Sequence, residues 1–285
     1  MITIEDLYFS YRRKKVICGL NLRLEAGHIY GLMGANGTGK STLLRCIAGL
    51  LFPEHGRMKV LSHRPKERHP ALLRQLFIIP EEFYLPDVRI GQFVRYNAPF
   101  YPSFSKEQFD SCLEDFGVPY GNTLLKMSYG QKKKVLISFA LACNTPLLLM
   151  DEPTNGLDIT GKRQFRKLIA GTATDERCIV ISTHQVKDLD NLIDHILILE
   201  EGRMLLDEPA ERISRRLQFK ISFDREEIET ALYSEDSLKG SAIVTSNPDG
   251  QEGQFDLELL YNAVTSNKEG VLALFNEEII QETLS

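Results

Sequence analysis

The chain has 285 residues, 43% of them hydrophobic and 26% charged, a globular balance that excludes disorder of the whole and gives room for a large domain plus a small one. Its 34 basic and 39 acidic residues leave a net charge of −5, so no general basic field exists, which argues against a dedicated nucleic-acid-binding role. Purely apolar stretches such as Leu147 to Met150 and Ile196 to Leu199 fall far short of the roughly 20 residues needed to cross a bilayer.

The segment Met1-Ile2-Thr3-Ile4-Glu5-Asp6 lacks the positive start and apolar run of a signal peptide, which predicts a cytosolic chain. Ile2 to Leu7 and Gly19 to Leu24 read as strands; the turn Glu25-Ala26-Gly27 leads to a third, Ile29 to Met33. A glycine-rich loop follows, then helical spacing over Lys40 to Ala48. Phe77 to Ile79, Leu147 to Met150 and Cys178 to Ser182 are short apolar runs suited to buried strands, and their alternation with helical stretches predicts an α/β domain with a largely parallel sheet. Pro86 to about Cys143 reads as a helical insertion between two of these strands. A helix around Asp207 to Leu217, begun near Pro209, closes the main domain. Beyond it the texture changes. Phe219 to Phe223, Ala242 to Thr245 and Val271 to Phe275 read as strands and Asp256 to Val264 as a helix, a small α+β appendage. The scattered Cys18, Cys46, Cys112, Cys143 and Cys178 include no Cys-x-x-Cys pair and read as reduced, mostly core residues.

Gly34-Ala35-Asn36-Gly37-Thr38-Gly39-Lys40-Ser41, followed by Thr42, fits G-x-x-x-x-G-K-[ST] and sits between a predicted strand and a predicted helix. Glycines there let successive N–H groups and the helix N-terminus point at phosphate oxygens, Lys40 adds charge at the β- and γ-phosphates, and Ser41 ligates Mg²⁺. Leu147-Leu148-Leu149-Met150-Asp151-Glu152-Pro153 is an apolar strand ending in two carboxylates. Asp151 at the strand end suits a metal's water shell, and Glu152, one residue on, suits the orientation or deprotonation of an attacking water.

Together these motifs resemble the ATP-binding subunits of ABC transporters, from about Ile2 to Leu217. The resemblance implies a P-loop ABC ATPase core with an antiparallel β subdomain and a helical subdomain, residues 1–217 as the ATP-binding domain (helical part about 86–143) and 218–285 as an accessory domain. It implies that Tyr11 stacks on adenine beside Val16, and that Met127-Ser128-Tyr129-Gly130-Gln131 is the signature whose Ser128, Gly130 and Gln131 close on an ATP held by a second subunit. It further implies that Asp158, in Asn155-Gly156-Leu157-Asp158, belongs to the loop joining the two subunits, and that His184 contacts the γ-phosphate.

Two positions depart from the family pattern. Tyr129 replaces the signature's first glycine, and its bulk is expected to narrow the approach to the partner's phosphate. Glu81 stands where the family has a metal-coordinating glutamine; it can still coordinate Mg²⁺ but adds negative charge near the triphosphate, pointing to slowed hydrolysis. Lys132-Lys133-Lys134 either favours the anionic nucleotide or forms a solvated helix face. By resemblance, Pro86 to Lys126, dense in Phe93, Tyr96, Phe100, Tyr101, Phe104 and Phe109, receives a helix of a membrane subunit.

The expectation is an ATP-hydrolysing subunit using ATP and Mg²⁺, peripheral on the inner face of the cell membrane, paired with a separate transmembrane permease and a second ATP-binding subunit as homo- or heterodimer. It most resembles the ATPases of export or efflux systems, though importer ATPases share these motifs. A soluble ABC-type ATPase without a membrane partner and a nucleotide sensor are the alternatives; the former usually carries two cassettes or a long coiled coil, and the latter has no need of Glu152 and His184.

Overall fold

The computed structural model describes residues 1–189, 192–238, 240–250 and 255–282. The first stretch comprises β1 (Ile2–Tyr11), β2 (Lys14–Leu24), β3 (Ile29–Met33), α1 (Lys40–Ile47), β4 (His55–Val60), α2 (Pro70–Leu73) and β5 (Leu76–Ile79). Then come α3 (Ile90–Asn97), α4 (Lys106–Asp115), α5 (Tyr129–Ala142), β6 (Leu147–Asp151), α6 (Ile159–Thr172) and β7 (Cys178–Thr183). The remainder is β8 (His195–Glu200), β9 (Arg203–Pro209), α7 (Ala210–Arg216), β10 (Leu217–Ser222), α8 (Arg225–Thr230), β11 (Tyr233–Ser237), β12 (Gly240–Ser246), α9 (Leu257–Ser266) and α10 (Lys268–Glu282).

β1, β2 and β4 form an antiparallel sheet in the order β2-β1-β4, the antiparallel β subdomain. Its alternating burial (Ile2, Ile4, Leu7 and Phe9 inward) follows from one face meeting the core and the other facing solvent. The central sheet runs β5-β6-β7-β3-β8-β9, parallel except for β9. Every residue of β3, β6 and β7 is buried, because a parallel sheet is covered on both faces, and this is why these strands read as unbroken apolar runs. Their carboxyl ends share one edge of the sheet, where open parallel sheets bind ligands.

The helical insertion packs α3, α4 and α5 around Phe139, whose ring lies 5.2 to 6.3 Å from Phe93, Phe104, Phe109, Tyr101 and Phe77. The aromatic density of this segment is therefore mostly core; only Tyr96 and Phe100, of the six residues named above, are exposed.

The sequence reading missed β4, β8, β9 and β11 as strands. Asp207 lies in β9 rather than in a helix; α7 starts at Ala210, with Pro209 as its N-cap. Val271 to Phe275, expected as a strand, is part of α10: Val271 and Phe275 are buried one helical turn apart while Ala273 between them is exposed, a spacing that a short apolar run does not distinguish from alternation. The antiparallel sheet β10-β12-β11 and helices α9 and α10 cover the last segment. Their apolar residues, including Val244, Leu260, Val264 and Val271, join the same core as Val186, Leu189, Leu206 and Ile213. All five cysteines are free thiols and only Cys18 is not buried. Among the described residues no helix is long and apolar enough to cross a membrane.

Because Phe139 is 1% exposed at the centre of the ring cluster, Phe139→Ala is expected to cost about 3–5 kcal/mol of stability. Chemical denaturation measures it; a cost near zero would mean the insertion does not depend on this contact.

Candidate functional site

The loop between β3 and α1 winds as its glycines allow. Gly39, the N-cap of α1, has φ 111° and a Cβ there would stand 3.0 Å from the Val16 carbonyl oxygen, while a Cβ on Gly34 would collide with the Leu199 carbonyl oxygen. A cleft of about 350 Å³ opens over this loop. Tyr11 and Val16 form one side, Asn36, Gly37, Gly39, Lys40, Ser41 and Thr42 the floor, and Glu81 and Glu152 the far wall. Lys14 also lines it; the sequence reading did not single it out, and nothing in the cationic run Arg12 to Lys15 marks one lysine over its neighbours.

Lys40 is 6% exposed, and its Nζ donates to the carbonyls of Gly34 at 2.6 Å and Ala35 at 3.2 Å, with Glu152 Oε1 at 3.9 Å. Burial lowers its pKa, and Glu152, Asp151 and Glu81 pull it back. Asp151, at the end of β6, is buried beneath the floor, where its Oδ1 accepts from Ser182 Oγ at 2.6 Å and Ser41 Oγ at 3.0 Å. Thr38 folds its hydroxyl back onto the Ala35 carbonyl at 3.0 Å.

Glu152 is held harder. Its backbone φ is 46°, in the left-handed region that side chains avoid, and its amide donates to the Ser182 carbonyl at 3.1 Å. Its Oε1 meets His184 Nδ1 at 2.8 Å, and its buried Oε2 has no hydrogen-bond partner. Burial raises the carboxyl's pKa, opposed by His184 and Lys40. His184 follows β7, the neighbour of β6, so sheet order brings the two side chains together.

The structure does not bring Ser128, Gly130, Gln131 or Asp158 into this cleft. Ser128 caps α5: its Oγ accepts from the Gln131 amide at 3.2 Å, and Gln131 Oε1 accepts from the Ser128 amide at 3.1 Å. Asp158 caps α6 and pairs with Lys134 Nζ at 3.2 Å, which lowers its pKa. The hydroxyl of Tyr129 turns back within the chain and donates to the Glu81 carbonyl at 2.5 Å. Nor does the lysine run form a solvated face: Lys133 is fully buried and donates to the same carbonyl at 3.2 Å. The Glu81 carboxylate itself accepts from Asn155 Nδ2 at 3.4 Å.

The last segment also reaches the site. Lys187, three residues past His184, pairs with Glu258 of α9 at 2.5 Å, and Lys268 pairs with Glu200. The Ala35 backbone meets the Tyr261 hydroxyl and opposes the rise that burial gives that group's pKa.

A family model described as ABC transporter matches residues 17–155. The bacitracin transport ATP-binding protein of Bacillus licheniformis is 32% identical over 231 residues, covering 78% of this chain and 75% of that protein. The cobalt import ATP-binding protein of Salmonella typhimurium is 31% identical over 229 residues, covering 72% and 79%. Among solved structures, an ATP-binding subunit of an ABC transporter superposes with a TM-score of 0.68 at 26% identity, covering 75% of this chain and 92% of that one. With the phosphate loop and Glu152 lining one cleft, and Asp151 and His184 hydrogen-bonded to Ser41 and Glu152 of its lining, these likenesses show that the chain belongs to the ATP-binding subunits of ABC transporters, a family of ATP hydrolases.

Proposed function

We propose that this chain couples ATP hydrolysis to transport through a separate membrane-spanning subunit, working as a dimer on the inner face of the cell membrane. The observation that carries the hydrolytic reading is Glu152, a buried carboxylate with one oxygen fixed by His184 and the other unpartnered at the wall of the cleft. A general base needs this combination of fixed orientation and an open acceptor.

In this reading Tyr11, 43% exposed at the cleft's edge, stacks on adenine beside Val16. The loop amides from Gly34 to Thr42 and the N-terminus of α1 hold the phosphates, and Lys40 turns from its carbonyl partners to the β- and γ-phosphates. The oxygen donors Ser41, Asp151 and Glu81 suit Mg²⁺, which prefers hard ligands and is bound through few protein groups plus phosphate oxygens. Bound with the substrate, Mg²⁺ supplies charge neutralisation at the phosphates. Glu152 accepts a proton from water as the water oxygen attacks the γ-phosphorus and the bond to the ADP oxygen breaks; His184 steadies the carboxylate and contacts the γ-phosphate.

The dimer reading is supported by where the signature stands. Ser128 is exposed at the start of the 14-residue α5, away from this chain's own cleft, so its positive helix end is available to an ATP held by a second subunit. Asp158, beside it at the start of α6, belongs to the same surface in this reading. The exposed Tyr84, Tyr96 and Phe100 around the helical insertion offer an apolar face to a membrane subunit. The relatives include a bacitracin transport protein and a cobalt import protein, so the proposal is transport, with direction assigned by the membrane subunit.

Purified wild-type chain is expected to turn over Mg-ATP, and Glu152→Gln to lose about a hundredfold or more of that rate while accumulating as an ATP-bound dimer in light scattering. Absence of both turnover and ATP-dependent dimerisation in the wild type would sink the reading. Co-purification of a membrane protein with the affinity-tagged chain tests the transport partner.

A second expectation concerns stability without nucleotide or metal. The folded-state pKa of Glu152 is raised, so keeping it ionised costs stability at neutral pH, and that cost vanishes as pH falls through the folded value toward the ordinary carboxylate range. Glu152→Gln is therefore expected to melt above wild type at neutral pH, with the advantage shrinking on acidification. Calorimetry across pH checks it, and an advantage that grows on acidification would contradict it.

A further inference from the structure

The two departures from the family pattern, Glu81 and Tyr129, touch each other. The Glu81 carbonyl accepts from Tyr129 Oη at 2.5 Å and from Lys133 Nζ at 3.2 Å, two side chains one turn apart on α5. Phe83, two residues on, stacks on Tyr129 with ring centroids 5.2 Å apart and planes at 30°. Lys133 Nζ lies 5.5 Å from the Phe83 centroid and 5.6 Å from that of Tyr129, so the buried ammonium rests against both rings.

The contacts close into a ring. Asn155 Nδ2 donates to Glu81 Oε1 at 3.4 Å, and the Asn155 amide donates to the Glu152 carbonyl at 3.3 Å. Its neighbour Gly156 is pressed on Tyr129, where a Cβ would come within 2.7 Å of Cδ1. A Cβ on Gly130 would in turn stand 2.6 Å from the Gly156 carbonyl oxygen. The loop after β5, the start of α5 and the loop after Glu152 thus meet at one point with no slack.

Lys133 has a second consequence. It is fully buried, and a buried ammonium is costly unless charge compensates it. Burial lowers its pKa, opposed by Glu81, Asp151 and Glu152. Its Nζ meets the Glu81 backbone carbonyl and the faces of Phe83 and Tyr129.

We propose that Tyr129 and Lys133 are positioning residues for hydrolysis: together they hold the Glu81 loop by its backbone carbonyl, against the stacked rings of Phe83 and Tyr129. The latch rests on the hydrolytic reading above. It assigns Tyr129 a task within its own subunit, in place of an obstruction to the partner's phosphate.

Tyr129→Phe keeps the ring stack and deletes the hydroxyl donor. The expected result is a fall in kcat of about tenfold or more with KM for ATP unchanged, since a misplaced wall group affects the reacting geometry more than nucleotide binding. Wild-type kcat in Tyr129→Phe overturns the positioning role. The shared hold is read without nucleotide or metal, by melting Tyr129→Phe, Lys133→Met and the double variant. Each single change is expected to lower the melting temperature, and the double variant to depart from the sum of the two losses, since both donors act on one carbonyl. Strictly additive shifts overturn the shared hold. Tyr129→Phe removes one hydroxyl and does not depend on the lysine variants folding. A wild-type chain that failed to hydrolyse ATP would overturn the hydrolytic reading, whereas the melting cycle decides the shared hold on its own.

Discussion

Two adjacent carboxylates buried at the end of a parallel strand impose the main constraint on this fold. Asp151 and Glu152 are 2% and 3% exposed, and burying polar oxygens there is costly unless they find partners. The partners come from strands and helices that are distant in sequence and adjacent in the sheet: Lys40 and Ser41 after β3, Ser182 and His184 at and after β7. The order β6-β7-β3 is what makes this possible, because it places three strand ends side by side with their backbone groups already paired. The loop after β3, the oxygens of Ser41 and Asp151 and the carboxylate proposed as the base are therefore one electrostatic arrangement, and the unpartnered Oε2 of Glu152 is the point at which it is left incomplete.

What the sequence disclosed was the part written locally. The phosphate loop from Gly34 to Ser41 and the run ending in Asp151-Glu152 are contiguous, and their physical logic depends on neighbours a few residues away. Buried strands such as β3, β6 and β7 announce themselves by unbroken apolar runs. The latch around Glu81 could not be seen in this way, because Tyr129 and Lys133 lie 48 and 52 residues from it, and nothing local distinguishes Lys133 from the lysines on either side. Burial sorts that run: Lys133 points inward, whereas Lys134 meets Asp158. In α10 the five apolar residues from Val271 to Phe275 were compatible with either periodicity, and packing against Val264 and Leu260 decided for the helix.

The segment after β9 is tied to the site in two chemically different ways. Leu260 and Val264 bury their side chains in the core that also holds Val186 and Leu189, just past His184, and this apolar contact is indifferent to salt. The pairs Lys187–Glu258 and Lys268–Glu200 are partly exposed and screened, so they steer the contact more than they stabilise it. The loop carrying His184 is consequently supported on one side by β7 and on the other by α9.

The backbone of Glu152 sets stability against chemistry at a single position. A residue with a side chain at φ 46° carries a standing conformational cost of roughly 1 kcal/mol or more, which glycine would escape. Glycine would also remove the carboxylate that the surrounding hydrogen bonds exist to hold. Backbone ease and side-chain chemistry thus make opposite demands on residue 152, and the glutamate keeps its carboxylate on the strained backbone.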